Sequence, residues 1–211
     1  MKIIEPYYEI LNKPKSNFIL THLEKAARLC YKSEDKIKKG SAKVLLKSLN
    51  KNGHQSIFEH ISISVLIVCD RGISHEIVRH RLCSFSQEST RYANYSKNKF
   101  NNEITVIKPL FYDEYTNRYN LWKNSIKVAE QTYLTLIDYG SSAQEARSVL
   151  PNSLKTEIIV TANIREWKHI FNLRCSNKAH PQIRQIMIPL RDEFIEMFPE
   201  YYSDLIKGEN N

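Results

Sequence analysis

The nine residues from Ile61 to Cys69 read I-S-I-S-V-L-I-V-C. β-Branched residues alternating with serine put apolar groups on one side of an extended chain, so this segment is predicted to be a half-buried strand. The segments around it have a helical period instead. Between Asn17 and Tyr31, the residues Phe18, Leu20, Leu23, Ala26, Ala27 and Cys30 form a helical stripe. Ser41 to Asn52 repeats the pattern, with Val44, Leu45 and Leu49 inward and Gly53 as a C-terminal stop. Asp113 to Tyr139 carries Tyr115, Tyr119, Trp122, Ile126, Ala129, Tyr133 and Ile137 at spacings of three and four and ends at Gly140. The combination predicts a helix-rich α/β (mixed α+β) fold with few strands.

Asp70, Arg71 and Gly72 close the strand, and Ser74 is placed to cap a short helix running through Glu76 to Arg81, followed by an irregular stretch. Ser142 with Glu145 forms a capping box for a helix ending near Leu150, ahead of Pro151. Thr156 to Asn163 reads as a second strand. Arg165 to Arg174 and Pro181 to Phe198 read as helices, the latter bent at Pro189. With five glycines, no repeat and no linker, residues 1–211 read as one domain.

The longest apolar run, Val65 to Cys69, has five residues, against the roughly 18 to 20 that a membrane span needs. Met1 to Glu9 lacks the apolar core of a signal peptide, so the expected location is the cytoplasm. Cys30, Cys69, Cys83 and Cys175 are scattered and suggest neither a disulfide nor a metal framework. A formal charge of +8, from 31 Lys and Arg against 23 Asp and Glu, points to anionic partners, with a solvated basic surface as the plainer alternative.

Chemistry concentrates in His75 to Tyr92, H-E-I-V-R-H-R-L-C-S-F-S-Q-E-S-T-R-Y. Arg79, His80 and Arg81 side by side repel one another unless an anion or an electron-rich ring sits among them; otherwise the arginines pair with surface carboxylates. Upstream, Asn52 to His60 forms a polar turn containing His54, Ser56 and Glu59. Downstream, Asn163, Arg165, His169 and Arg174 cluster, with Arg165 and His169 four apart. His75 and His80 are five apart and point about 140° away from each other on a helix, which argues against a zincin. The dinucleotide, P-loop and α/β-hydrolase glycine motifs do not occur.

Arg79-His80-Arg81, seven residues and then Ser89-Thr90-Arg91-Tyr92 resembles the R-H-R-x7-S signature of the flavin-dependent thymidylate synthases. The resemblance extends to Gly53-His54, Phe58-Glu59-His60, Ala146-Arg147, Val149-Leu150-Pro151, Asn163-x-Arg165 and Asn172-Leu173-Arg174. It implies a helix-rich fold with a small, mainly antiparallel sheet, and a homotetramer with active sites shared between subunits. It implies methylation of dUMP to dTMP, with 5,10-methylenetetrahydrofolate as carbon donor, FAD reduced by NADPH as hydride source, and tetrahydrofolate released. Arg79, His80 and Arg81 would meet FAD, together with Ser56, Glu59, Asn163, Arg165, His169 and His180. Glu76, Arg79, Gln87, Glu88, Ser89, Thr90, Arg91, Arg147 and Arg174 would bind dUMP, Arg147 coming from another part of the assembly. Arg174, Arg79 and His54 would be catalytic, and no metal is implied.

None of the four cysteines has the P-C-H context of the ordinary thymidylate synthase nucleophile. Two rivals remain. One is a basic nucleic-acid-binding protein, suggested by Tyr92, Tyr95 and Phe100 among basic residues. The other is a flavoprotein of the same fold that oxidises NADPH without methylating; for the family reading neither nucleic acid nor membrane is a partner.

Overall fold

A computed structural model describes residues 1–205. The strands are β1 (Lys2–Ile4), β2 (Tyr7–Ile10), β3 (Ser62–Asp70), β4 (Ser84–Gln87), β5 (Thr105–Ile107) and β6 (Lys155–Asn163). The helices are α1 (Ser16–Cys30), α2 (Ser41–Lys51), α3 (Arg71–Ile77), α4 (Asn117–Asp138), α5 (Ala143–Ala146), α6 (Ile164–Arg174), α7 (Pro181–Met197) and α8 (Pro199–Tyr202). β1 and β5 form a parallel pair with Lys2 opposite Thr105, and a four-stranded sheet has the order β2-β3-β6-β4. The Arg71 N–H donates to the Leu154 carbonyl at one end of β3, and the Ile164 N–H to the Ile61 carbonyl at the other, the register of an antiparallel ladder.

Contacts group the chain into two compact units. The first contains Met1–Tyr7, Ile67–Arg79 and Ser86–Ile159. Its core joins Ile104, Val106, Ile126, Tyr133, Ala146 and Leu154. The Tyr133 hydroxyl accepts the Tyr95 N–H at 3.3 Å, so its polar end is satisfied inside that core. The second contains Tyr8–Leu66, His80–Phe85 and the chain from Val160 onward. An aromatic core holds it together: Trp167, Phe171, Phe194 and Tyr202 meet at ring separations of 5.1 to 6.2 Å.

The two long strands and the helices at α1, α2, α4, α6 and α7 fall within a few residues of their predicted places. Two local readings are corrected. The helix before the signature is capped by Asp70, whose Oδ1 accepts the Ile73 N–H at 2.7 Å. A carboxylate outcompetes the Ser74 hydroxyl at a helix N-terminus, so the helix starts four residues earlier and stops at Ile77. Arg79, His80 and Arg81 therefore stand in the turn beyond it. The stretch read as irregular contains β4, which adds to the sheet beside β6. The helix opened by the Ser142–Glu145 capping box tightens to a 3₁₀ turn at Arg147–Val149 and ends at Leu150, directly ahead of Pro151, as its sequence predicts.

Trp167 is fully buried and its indole N–H donates to the Ile63 carbonyl at 3.0 Å. Trp167→Ala is expected to cost about 3–5 kcal/mol, the range for deleting a large buried aromatic, read as a lowered urea midpoint. A loss below about 1 kcal/mol would show that the aromatic core does not hold this unit.

Candidate active site

In the second unit, α6 brings Arg174 to the turn that carries His80. The Arg174 Nε–H donates to His80 Nε2 at 3.0 Å across 94 residues of sequence. That bond makes Nε2 an acceptor and leaves the imidazole proton on Nδ1, which faces Glu166 Oε1 at 3.8 Å. His80 and Glu166 are buried, whereas Arg81 and His169 are exposed. Burial pushes the His80 imidazole down to about 4, helped by the Arg174 guanidinium and His169, so the ring is neutral at physiological pH. Burial raises the Glu166 carboxyl. One donor atom each from His80, Glu166 and His169 lie within 4.8 Å of one another, near enough for a small cation. The guanidinium on His80 puts fixed positive charge at the same place and suits an anion or an electron-rich ring better.

The remaining predicted flavin contacts in this unit have local partners. Arg165 and Glu59 pair with each other, both exposed. Asn163 caps α6, its Oδ1 accepting the Glu166 N–H at 2.8 Å. His180 caps α7, with Nδ1 accepting the Gln182 N–H at 3.3 Å and Pro181 in the first helical turn. Gly53, at φ 75°, turns the chain sharply after α2, a conformation that costs any residue with a Cβ. His54 and Ser56 follow it and line a cavity of about 390 Å³ with Tyr31, Cys30 and Leu49.

The nucleotide candidates from Glu76 to Arg91, and Arg147, lie in the first unit. Gln87 Nε2 donates to the buried hydroxyls of Ser74, at 2.9 Å, and Thr156, at 3.1 Å, so its amide pins β4 in place. Glu88 pairs with Lys155 at 3.0 Å and accepts the Tyr95 hydroxyl at 3.2 Å. These two side chains hold the shape of the loop. Beyond them, the Ser89 hydroxyl accepts the Arg91 N–H at 3.3 Å, and Arg147 Nη1 donates to the buried Thr90 hydroxyl at 3.3 Å. Arg147 thus meets the loop of its own chain. Arg79, Arg91 and Arg147 are exposed, and Glu76 is half-buried in the last turn of α3. Ser89 opens onto a cavity of about 420 Å³ with Tyr92, Lys99, Phe100 and Lys155.

Sequence reading missed Glu166 and Lys155. Asn163-x-x-Glu166 looks like a helix cap with its usual acid, so nothing marked the acid as buried. Lys155 lies at the start of a strand, where lysine is ordinary. At Cys83, burial and the neighbouring Glu166 push the thiol up to about 12, which leaves little thiolate to react at neutral pH.

Because the folded His80 titrates near 4 and the unfolded ring near 6.5, the unfolded chain holds the extra proton between those values. The His80 contribution to stability is complete above pH 6.5 and is lost as pH falls toward 4. The urea midpoint is expected to drop more between pH 7 and pH 5 in the native protein than in His80→Gln. Equal drops would mean that the folded ring is protonated.

Three comparisons bear on this geometry. The family profile described as Thymidylate synthase complementing protein matches residues 19–200. A flavin-dependent thymidylate synthase of Geobacter sulfurreducens is 35% identical over 172 residues, 78% of this chain and 72% of the relative. The enzyme of the same description from Mycolicibacterium gilvum is 30% identical over 200 residues, 86% of this chain and 78% of the relative. Among solved structures, the UMP/dUMP methylase PolB of Streptomyces cacaoi, bound with 5-Br dUMP, superposes with a TM-score of 0.79 at 23% identity, over 98% of this chain and 97% of that one, and so shares the fold. With a family match across most of its length and relatives at this level of identity, the chain belongs to the flavin-dependent thymidylate synthase family.

Proposed function

We propose that the chain methylates dUMP to dTMP in the cytoplasm, as a homotetramer with shared active sites, using 5,10-methylenetetrahydrofolate as carbon donor and releasing tetrahydrofolate. The observation that carries this reading is the hydrogen bond from Arg174 to His80. It joins the central residue of the R-H-R signature to a cation far along the chain, at a histidine that burial, helped by Arg174, keeps neutral, so that it does not compete for the same anionic partner. The described names of the relatives, and the nucleotide held by PolB, support a uridylate substrate.

The donor set fits a flavin. Arg81, Arg165 and His169, beside the neutral His80, offer positive charge and N–H groups of the kind an anionic isoalloxazine and its phosphates require, and His54 and Ser56 border a cavity. When bound, FAD reduced by NADPH supplies the hydride that completes the methyl group. Ser89, Thr90, Arg91 and Arg147 bind the nucleotide phosphate through hydroxyl, backbone and guanidinium groups. Gln87 and Glu88 act on the nucleotide through the loop that they shape. Ser89 orients rather than attacks, since its hydroxyl accepts a backbone N–H and, among the described residues, no histidine bonds to it to take its proton. Arg174 polarises the uracil with a guanidinium steadied by His80, Arg79 shares that role, and His54 guards the reacting face.

The purified protein should show the absorbance of oxidised flavin, and anaerobic addition of dUMP, methylenetetrahydrofolate and NADPH should yield dTMP. Arg174→Ala should lower turnover by about 100-fold or more, as for loss of a preorganised electrostatic group, while FAD retention changes far less. Unchanged turnover would remove Arg174 from the chemistry. A colourless protein that takes up no FAD, makes no dTMP and binds oligonucleotides in a salt-dependent way would replace this reading with nucleic-acid binding.

A further inference from the structure

A third cavity, of about 740 Å³, opens at the N-terminus of α2 and is lined by Lys36, Lys38, Lys39, Ser41 and Val44. Its charge is one-sided. Asp35 is the one acid among its lining residues, and Arg28, which also lines it, is already paired with Glu24 at 3.2 Å. Among the described residues no carboxylate pairs with Lys36, Lys38 or Lys39. A helix start ordinarily carries an acidic residue in its first turn or a side-chain cap to offset its positive end. α2 has neither: Gly40 occupies the cap position with a left-handed backbone, and the first turn contains no acid. The lysines add to the helix dipole instead of opposing it, an arrangement that disfavours the empty fold and favours an anion.

The cavity also has a direction. It shares Arg28, Lys36 and Leu45 with the smaller cavity bordered by His54 and Ser56, so the two adjoin where α1 meets α2. His54 follows the C-terminal end of α2 and the lysines lie at its N-terminal end. An 11-residue helix separates them by about 16 Å at 1.5 Å per residue. A ligand touching both ends must be elongated, with a ring system at His54 and negative charge at the far end.

We propose that this basic cavity is a separate subsite for the multiply charged tail of a co-substrate whose ring lies at His54. The inference rests on the proposed function, which places His54 at the reacting end. Two co-substrates carry such a tail: a folate with several γ-linked glutamates, through its carboxylates, and NADPH, through its ribose phosphate. Both use the same chemistry of lysine ammonium groups and helix N–H groups against clustered anionic oxygens.

Calorimetric titration of the full chain, with FAD and dUMP present, tests this with two unreactive ligand pairs: pteroyl-penta-γ-glutamate against pteroyl-monoglutamate, and NADP⁺ against NAD⁺. The proposal expects the more charged member of one pair to bind about tenfold tighter, since three exposed cations at about 0.5 kcal/mol each approach one decade. The triple variant K36Q/K38Q/K39Q should abolish that gap and leave the less charged member unaffected. A gap in the folate pair assigns the tail to glutamates, and a gap in the dinucleotide pair assigns it to the phosphate. No gap in either pair, or a gap that survives the triple substitution, overturns the proposal. A fall in FAD retention in the triple variant also overturns it, because the cavity would then serve the flavin's own phosphates. A lysine-dependent gap in a protein that makes no dTMP would keep the subsite and reject the proposed function, whereas dTMP synthesis with no gap would do the reverse.

Discussion

The orientation of α6 depends on Trp167, which is buried against Phe171 and Phe194 and donates its indole N–H to Ile63 on the neighbouring strand β3. A buried ring with a directional bond fixes both the depth of a helix and its rotation about its own axis. The apolar stripe of that helix runs Trp167, Ile170, Phe171, and the position that would extend it, seven residues after Trp167, is Arg174. A charge where the helical period calls for a core residue is a local inconsistency that the fold does not need. It becomes intelligible when the guanidinium is seen lying on His80.

The same helix supplies the other side of His80. Glu166 is buried one position before Trp167, so the imidazole sits between a guanidinium on Nε2 and a carboxylate facing Nδ1. This fixes the tautomer, and with it which edge of the ring can accept a hydrogen bond. It also separates two kinds of positive group in the signature. Arg79 and Arg81 are exposed and permanently charged, whereas His80 is buried and neutral. The R-H-R triplet is therefore a buried pivot with a cation on each side of it.

Much of this fold could be read from the sequence because its long elements are written in clean periods. β3 has its serine alternation, and α1, α2 and α4 have their stripes with glycine stops. The short elements could not be read. β4 has four residues and pairs only because β6 is beside it, and α3 takes its start from Asp70, which also ends a strand and so gave a conflicting signal. For the site, the signature points to residue types, but the motif could not say which side chains work on the fold. Gln87 and Glu88 sit in the middle of the proposed nucleotide loop, and the structure shows their polar atoms engaged with Ser74, Thr156, Tyr95 and Lys155. Their buried hydroxyl partners come from distant segments, and no local pattern announces such a pairing.

The division of labour within the loop follows from that engagement. A side chain whose hydrogen-bonding groups are already paired with buried hydroxyls cannot turn to a ligand without leaving those hydroxyls unsatisfied, at a cost of about 1–3 kcal/mol each. Gln87 therefore holds position, and the residues left to meet an anion are those at the loop's surface. Arg91 and Arg147 are exposed, and Arg147 is steadied by the buried Thr90 hydroxyl. A guanidinium anchored by one N–H keeps four others to offer, and its neighbour Ser89 already opens onto a cavity. The signature serine and threonine are thus better understood as parts that aim arginines than as nucleophiles. That agrees with the proposed chemistry, in which the chain would bind and polarise while a cofactor and a co-substrate would carry the electrons and the carbon.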